Sequence, residues 1–367
     1  MRIVVAPDKF AGTLTAIEAA EAMAEGWRRT APGDELVLVP LSDGGPGFLE
    51  VLHAGLGGRI SAIEVSGPLG ARVSAELLLV DDPGPATAYI EVALAAGLHL
   101  IDPAARDPLG ASSYGVGELI GAAADAGVQR IVVGVGGTVS TDGGAGLLAA
   151  LGAVPSEGLR SGGGPLADLT GKVDLTKARE RLAGIELVAA TDVDAPLLGP
   201  EGAALGFGAQ KGADRAGREQ LETALRIWAT ATDGAVAVKG GAGAGGGIGF
   251  ALLLLGATRV PGAQLALDAV QLPVQAAKAD LLLTGEGAFD WQSLRGKVVA
   301  GVARVGQGCG RPTVVLAGRV EVGKRELSNA GIDSAYGIVD MPASDRGHNP
   351  ADELAALAAR VARTWSH

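Results

Sequence analysis

Cysteine is almost missing from this 367-residue chain: Cys309 is the single copy, so no intrachain disulfide can form and a structural zinc site built on cysteines is excluded. Aromatic residues are scarce too, at 3%, although 48% of the chain is hydrophobic. The core must therefore come from Ala, Val, Leu and Ile, which suits βαβ layers. Basic residues fall short of acidic ones, 30 against 41, leaving a formal charge of −11 with no basic stripe. Such a surface repels polyanions, so no nucleic acid is expected as a partner. The four histidines, His53, His99, His348 and His367, are far apart and lack the spacing of metal ligands. A signal peptide is not seen, since MRIVVAP runs straight into an apolar strand. One charge-free window of transmembrane length, 240–258, is dense in glycine and reads as a buried turn and helix. The expected location is the cytoplasm, without a membrane partner; nothing in the sequence fixes an oligomeric state.

What the chain has in excess is glycine, 59 residues, about twice the common share of roughly 7%. A glycine-and-aspartate loop occurs twice, as SDGGPGFLEVLHAGLG from Ser42 and TDGGAGLLAALGA from Thr141. Each follows a β-like run and leads into a helical pattern. In such a loop the acid (Asp43, Asp142) caps the helix or holds a metal, and the glycines let backbone N–H groups approach an anion.

The N-terminal third alternates as strand 2–6, helix 15–29, strand 35–39 and helix 47–54, the pattern of a parallel sheet. Three β-rich runs between 59 and 92, joined by GPLG and DDPGP, are expected to pair antiparallel. Alternation resumes with helix 113–126, strand 130–135, helix 143–152, strand 186–190 and helix 215–231. The last ninety residues return to buried strands at 280–285, 313–318 and 334–339. At 367 residues the chain is long enough for two domains. The expected division is one α/β domain from both termini, 1–60 and 278–367, with 61–277 inserted as a mixed-sheet α/β domain.

Two phosphate templates match in part. GRVEVGKR, 318–325, follows the Walker A spacing but ends in Arg325 where magnesium needs Ser or Thr, and carries bulky Val320 and Val322. GAGAGG, 241–246, with Asp268 further on, meets the dinucleotide fingerprint and supports an NAD(P)-dependent dehydrogenase as an alternative. Six other loops carry acids, lysines and glycines after strands: PDKFAG, SDGG, TDGG, ATDVDAPL, FGAQKGA and TGEGAFDWQSLRGK. Ligands gather at the C-terminal ends of parallel strands, so these loops have a reason to converge. Singly, an Asp before two glycines is an N-cap and a lysine beside glycine is solvated. Jointly, they are the inventory of a kinase.

In order along nearly the whole chain, these loops resemble the bacterial glycerate kinases of the type I family. APDKFAGTL (6–14) is similar to the family's APD-[SK]-F-K-G-[ST]-L, SDGGPGF to ADGGEGT, and 66–70 to SGPLG. Residues 106–120 follow RDPL-x5-YG-x-GELI, and 136–146 follow GGSATNDGGAG. TDVDAPL (191–197), FGAQKGA (207–213) and 285–297 complete the set. The resemblance implies ATP-dependent phosphorylation of D-glycerate to 2-phosphoglycerate, a Mg²⁺ requirement, and a flavodoxin-like (Rossmann-like) domain joined to a restriction-enzyme-like one. The chain departs from the family at Ala11, Pro46, Thr141 and Ala195. Loss of a substrate contact at Ala11 or Pro46 would lower affinity or change the hydroxy acid, and the departures admit a non-catalytic metabolite-binding relative.

Phosphoryl transfer asks a protein for positioning and charge neutralisation. Asp192, ending a strand in a loop with a second acid, Asp194, is expected to take the hydroxyl proton. Asp43 shares the catalytic group, and Lys9 is expected on the substrate carboxylate. Lys211 and Lys297 are expected on the nucleotide phosphates, with backbone N–H groups of Gly136, Gly137, Gly143 and Gly144 as anion donors. Mg²⁺ would be held by some of Asp43, Asp142, Glu286 and Asp290, hard oxygen ligands suited to it. A closing cleft between the domains would exclude water.

Overall fold

The structure, a computed structural model, describes residues 1–10, 12–81, 84–294 and 296–366. Ala11, one of the departures, and His367 lie outside the described residues. In chain order the strands are β1 (Arg2–Val5), β2 (Glu35–Leu38), β3 (Arg59–Ser66), β4 (Arg72–Val80), β5 (Thr87–Glu91), β6 (Arg130–Gly134), β7 (Glu186–Ala190), β8 (Thr258–Val260), β9 (Leu281–Phe289), β10 (Thr313–Val320) and β11 (Ser334–Gly337). They form two sheets, β11-β10-β9-β1-β2 and β3-β4-β5-β6-β7-β8. The chain divides into two compact units. One comprises Met1–Asp43, Glu50–Leu56 and Pro261–His367; the other comprises Gly44–Leu49 and Gly57–Val260.

The first unit holds the five-stranded sheet, parallel throughout, with Val4 opposite both Val37 and Leu282. Alternate residues of β1 serve two cores. Ile3 and Val5 pack with Met23, Trp27, Leu354 and Leu357 under the helices Ala16–Thr30 and Pro350–Trp365, while Val4 and Ala6 pack with Ala266, Leu267 and Val302 on the other face. Burial on both faces is why these strands read as continuous apolar runs. The helix Ala16–Thr30 starts on a capping box, with Thr15 and Glu18 each accepting from the other's backbone N–H. Strand order reverses between β1 and β9: the chain moves outward to β2 on one side and to β10 and β11 on the other. That gap is a topological switch point, the place where doubly wound sheets bind ligands beyond the carboxyl ends of their strands.

The second crossing falls at Val260/Pro261, where the sequence reading put 278. The helices Gly262–Ala269 and Leu272–Ala277 supply Ala263, Ala266, Leu267, Leu272 and Ala276 to the core of Val4 and Leu282, so they belong with the terminal unit.

The second unit holds the mixed sheet. β3, β4 and β5 pair antiparallel, as the three runs predict, with Ile63 opposite Ala75; β5 to β8 pair parallel. A core of Val, Leu, Ile and Ala side chains, with Trp228 and Phe250 fully buried, lies against it. Gly117, on the helix Tyr114–Asp125, would drive a Cβ to 2.3 Å from the carbonyl of Leu147, so that helix and Ala145–Ala150 approach backbone to backbone.

Candidate active site

At the switch point of the first unit, three loops converge by backbone pairing. Ala6 and Asp8 donate their N–H groups to the carbonyls of Leu283 and Gly285, while Val39 and Leu41 donate to those of Val5 and Pro7. The C-terminal continuations of β1 and β2 therefore run together beside β9, carrying Asp8 and Lys9, and Asp43, next to Glu286 within β9. The Lys9 ammonium lies 2.9 Å from Asp43 and 3.8 Å from Asp8. Burial pushes the Asp8 carboxyl up to about 7, with the Asp43 charge adding to the rise and Lys9 opposing it. Glu286 is also pushed up to about 7 by burial, opposed by a hydrogen bond from Ser293 and by the charge of Lys297. Its Oε1 is buried with no hydrogen-bond partner among the described residues. Lys297 stands at the N-cap of the helix Val298–Cys309. Asp290 spends one oxygen on its own turn, accepting from Gln292 N–H at 2.7 Å and Ser293 N–H at 3.3 Å.

In the second unit, β6 and β7 end side by side, Gly134 opposite Ala190. Gly136 and Asp192 each follow two residues later, so both stand at the carboxyl edge of neighbouring strands. Asp194 is bound by Arg259, and Thr191 Oγ1 accepts the N–H of Val193, which shapes the turn that carries Asp192. A pocket of about 120 Å³ opens at this edge, lined among others by Gly136, Gly137, Thr138, Lys211, Gly245 and Gly246. Lys211 is 3% exposed and donates to the Ser140 carbonyl at 2.5 Å and to Thr138 Oγ1 at 3.3 Å. Burial brings its ammonium down to about 7, against the pull of Asp142. The N–H groups of Gly136 and Gly137 have no protein acceptor among the described residues.

Several expectations are corrected. Asp142 is completely buried and accepts four hydrogen bonds, from Ser113 N–H and Ser113 Oγ (both 2.8 Å), Gly144 N–H (3.1 Å) and Gly146 N–H (3.2 Å). Its carboxylate is filled by the protein, so it anchors the loop and caps the following helix instead of binding metal or cofactor. Gly143 and Gly144 are not anion donors either, because their N–H groups go to the Gly246 carbonyl and to Asp142. Lys9, expected on the substrate carboxylate, pairs with Asp43. In the Walker-like segment, Gly318 to Val320 lie inside β10 and form no phosphate loop. GAGAGG follows the short helix Gly234–Ala237 and not a strand, and Asp268 belongs to the other unit. Its glycines serve close packing: a Cβ on Gly246 would fall 1.9 Å from the Ser140 carbonyl and 2.7 Å from Lys211 Nζ, and Gly247 would meet Gly143 at 2.4 Å.

Two residues were missed by sequence reasoning. Asp8 carries a legible signal, an acid closing the first buried strand beside Lys9. Glu91 carries another, a lone acid ending the apolar run TAYI; it is 4% exposed and accepts from the N–H groups of Gly47 and Leu49.

One unit thus carries a buried lysine in a glycine-lined pocket, and the other carries carboxylates at the switch point of its parallel sheet, both features found at phosphoryl-transfer sites. Comparison with known proteins makes the class specific. The sequence profile described as "Glycerate kinase family" matches residues 3–366. The chain is 38% identical to a glycerate kinase of Halalkalibacterium halodurans, covering 99% of this chain and 98% of that protein. It is 37% identical to the glycerate 2-kinase of Escherichia coli, covering 92% and 91%. A crystal structure from Salmonella typhimurium LT2, provisionally named glycerate kinase 2, superposes with a TM-score of 0.80 at 38% identity, covering 99% and 98%. The chain belongs to the glycerate kinase family, and is a kinase with an α/β fold of one parallel and one mixed sheet. No helix among the described residues is long and apolar enough to cross a membrane.

Proposed function

We propose that this protein transfers the γ-phosphoryl group of ATP to D-glycerate, giving 2-phosphoglycerate, with Mg²⁺ as the accompanying ion. The observation that carries the reading is the carboxylate cluster of Asp8, Asp43 and Glu286 at the switch point, where burial and mutual repulsion raise Asp8 and Glu286 to about 7. Such a cluster favours a cation. The donors are oxygens only, and Glu286 Oε1 lacks a partner, which fits a hard divalent ion. Among the described residues no three His, Cys, Asp or Glu side chains are grouped closely enough to hold a metal by themselves. Mg²⁺ is commonly bound by one or two carboxylates with substrate phosphates and water filling its shell. Asp43 and Glu286 are the residues that would hold it, and the ion would neutralise charge on the transferring phosphoryl group.

The chain's own groups supply the remainder. Lys211 and the N–H groups of Gly136 and Gly137 face one pocket and bind phosphate oxygens. Asp192, at the carboxyl edge of β7 beside that pocket's wall, accepts the glycerate hydroxyl proton as the bond to phosphorus forms. Lys9 pairs with Asp43 and orients it. Lys297 offsets the charge around Glu286. The 2-position follows the name of the Escherichia coli relative.

Phosphorus NMR of the protein with ATP, Mg²⁺ and D-glycerate, beside an L-glycerate control, tests the reading. The expected result is 2-phosphoglycerate with an equal amount of ADP. A 3-phosphoglycerate signal overturns the product, and absence of turnover by folded protein overturns the activity.

A further inference from the structure

Two motif segments of the sequence, 66–70 and 106–120, supply no group to the proposed transfer. They build a cavity of their own in the second unit, of about 490 Å³, which shares no lining residue with the pocket of Lys211. Its walls are the turn 66–70, then Asp107, Gly110, Ser112 and Tyr114, and across from these Arg160 and Ser161.

The walls are tied to one another through the backbone. Ser112 donates its N–H to the Pro68 carbonyl at 2.9 Å, and Gly164 donates to the Leu109 carbonyl at 2.9 Å. A Cβ on Gly115 would clash with the Ser66 carbonyl, and one on Gly162, where φ is 89°, would fall 2.5 Å from the Leu109 carbonyl. Glycine at these two positions lets the three segments close on each other, so the cavity is built into the fold.

What the walls present is a set of hydrogen-bond donors that the protein does not use. The Arg160 guanidinium stacks on the Tyr114 ring, 4.5 Å from its centroid, and makes no ion pair among the described residues. Stacking engages the guanidinium face and leaves its N–H edge for an oxyanion. The hydroxyls of Ser66, Tyr114 and Ser161 make no hydrogen bond among the described residues. Ser112 is only 7% exposed; its Oγ accepts from Tyr114 N–H at 3.2 Å, and its hydroxyl proton meets no acceptor among the described residues. A buried donor without an acceptor is costly, so it favours a ligand that supplies one. Asp107 is the one acid of the walls. Its Oδ1 accepts from the N–H groups of Leu109 at 3.1 Å and Gly110 at 3.0 Å, which leaves Oδ2 to accept a ligand proton.

We propose that this cavity binds a small phosphate ester bearing a hydroxyl group, with Arg160 and the serine hydroxyls on the phosphate and Asp107 Oδ2 accepting from the ligand hydroxyl. A phosphate monoester offers three acceptor oxygens, enough for the guanidinium edge and for hydroxyls on different walls, whereas a carboxylate offers two. The site is separate from the transfer site and does not depend on the reaction proposed above.

The test follows hydrogen exchange of segments 66–71, 107–116 and 159–164 in the full-length protein during titration with glycerol 3-phosphate. Inorganic phosphate, D-glycerate and glycerol serve as comparisons. The ester is expected to slow exchange of these segments about fivefold or more, inorganic phosphate to do so only at higher concentration, and D-glycerate and glycerol to change it less than about twofold. Arg160→Gln should weaken the ester's apparent affinity about tenfold or more, and Arg160→Lys by less, since the charge stays while the stacked fork is lost. Lys211→Met should leave the affinity at these segments unchanged, and Arg160→Gln should keep wild-type kcat with glycerate. Wild-type affinity in Arg160→Gln overturns the proposal, as does failure of the ester to protect these segments at tens of millimolar. Equal protection by D-glycerate overturns the phosphate assignment, and equal affinity for inorganic phosphate overturns the Asp107 contact. Loss of turnover in folded Arg160→Gln places the cavity within the transfer site and overturns its independence. The binding arms decide the proposal whether or not the protein phosphorylates glycerate.

Discussion

Asp43 and Asp142 each stand before two glycines and a helix, yet they meet opposite surroundings. Asp142 is sealed, with Ser113 on one side and the amides of its own helix on the other. Asp43 keeps 24% of its side chain exposed and faces Lys9 at 2.9 Å. The difference lies outside both loops. Glu91 accepts from Gly47 and Leu49 at the first helix start, whereas at the second Asp142 accepts from Gly144 and Gly146 and Ser113 Oγ accepts from Leu147. The motif letters alone do not say which copy is which.

That contrast separates activity from stability. Asp43→Asn is expected to lower kcat about 10²- to 10³-fold, as removal of a positioned charge at a transfer site does, with the urea midpoint close to wild type. Asp142→Ala should do the reverse, losing about 1–3 kcal/mol for each buried donor left unpaired, read as a lower urea midpoint. Lys211→Met removes a buried ammonium, so its midpoint should hold or rise. Its kcat/KM for ATP should fall by about tenfold to a hundredfold, and an unchanged value removes Lys211 from the phosphate contacts.

The smallest expected effect is on the pH dependence of stability, and it has opposite signs in the two units. The folded Asp8 and Glu286 carboxyls sit at about 7, above their ordinary 3.8 and 4.5. Between those limits the native state holds protons that the unfolded chain has released. Stability contributed by these groups is thus present at low pH and is lost as pH rises toward 7. Lys211, lowered from 10.5 to about 7, behaves the other way: the unfolded chain binds the extra proton across that window, so stability rises with pH there. Asp8→Asn should flatten the acid slope and Lys211→Met the alkaline one, as followed by urea titrations at stepped pH.

Much of the fold was legible because it rests on local pattern. Apolar runs with turn signals at their ends gave β1, β4, β6, β7, β9 and β10 within a few residues, and the helix 215–231 matches Arg215–Ala231. The three-residue β8 was too short to leave a pattern. The helices after Pro261 did not show their allegiance, since their apolar residues fit either core until Val4 and Leu282 are known to cover them. At the site, Lys211 could be picked out by its glycine neighbours. The duty of Asp142 could not, because two of its four donors come from Ser113, 29 residues earlier. Glu91 acts 42 and 44 residues from its partners, a distance at which spacing carries no information. Asp8 lay beside a lysine already singled out, and the burial that raises its carboxyl comes from the fold.

The most direct test of this account sets Asp43→Asn and Asp142→Asn side by side, measuring D-glycerate-dependent ADP release and the urea midpoint of each. The account predicts a stable, nearly inactive Asp43→Asn protein and an Asp142→Asn protein whose midpoint falls well below wild type. An Asp43→Asn protein that turns over normally, or an Asp142→Asn protein with wild-type stability and no activity, would contradict it.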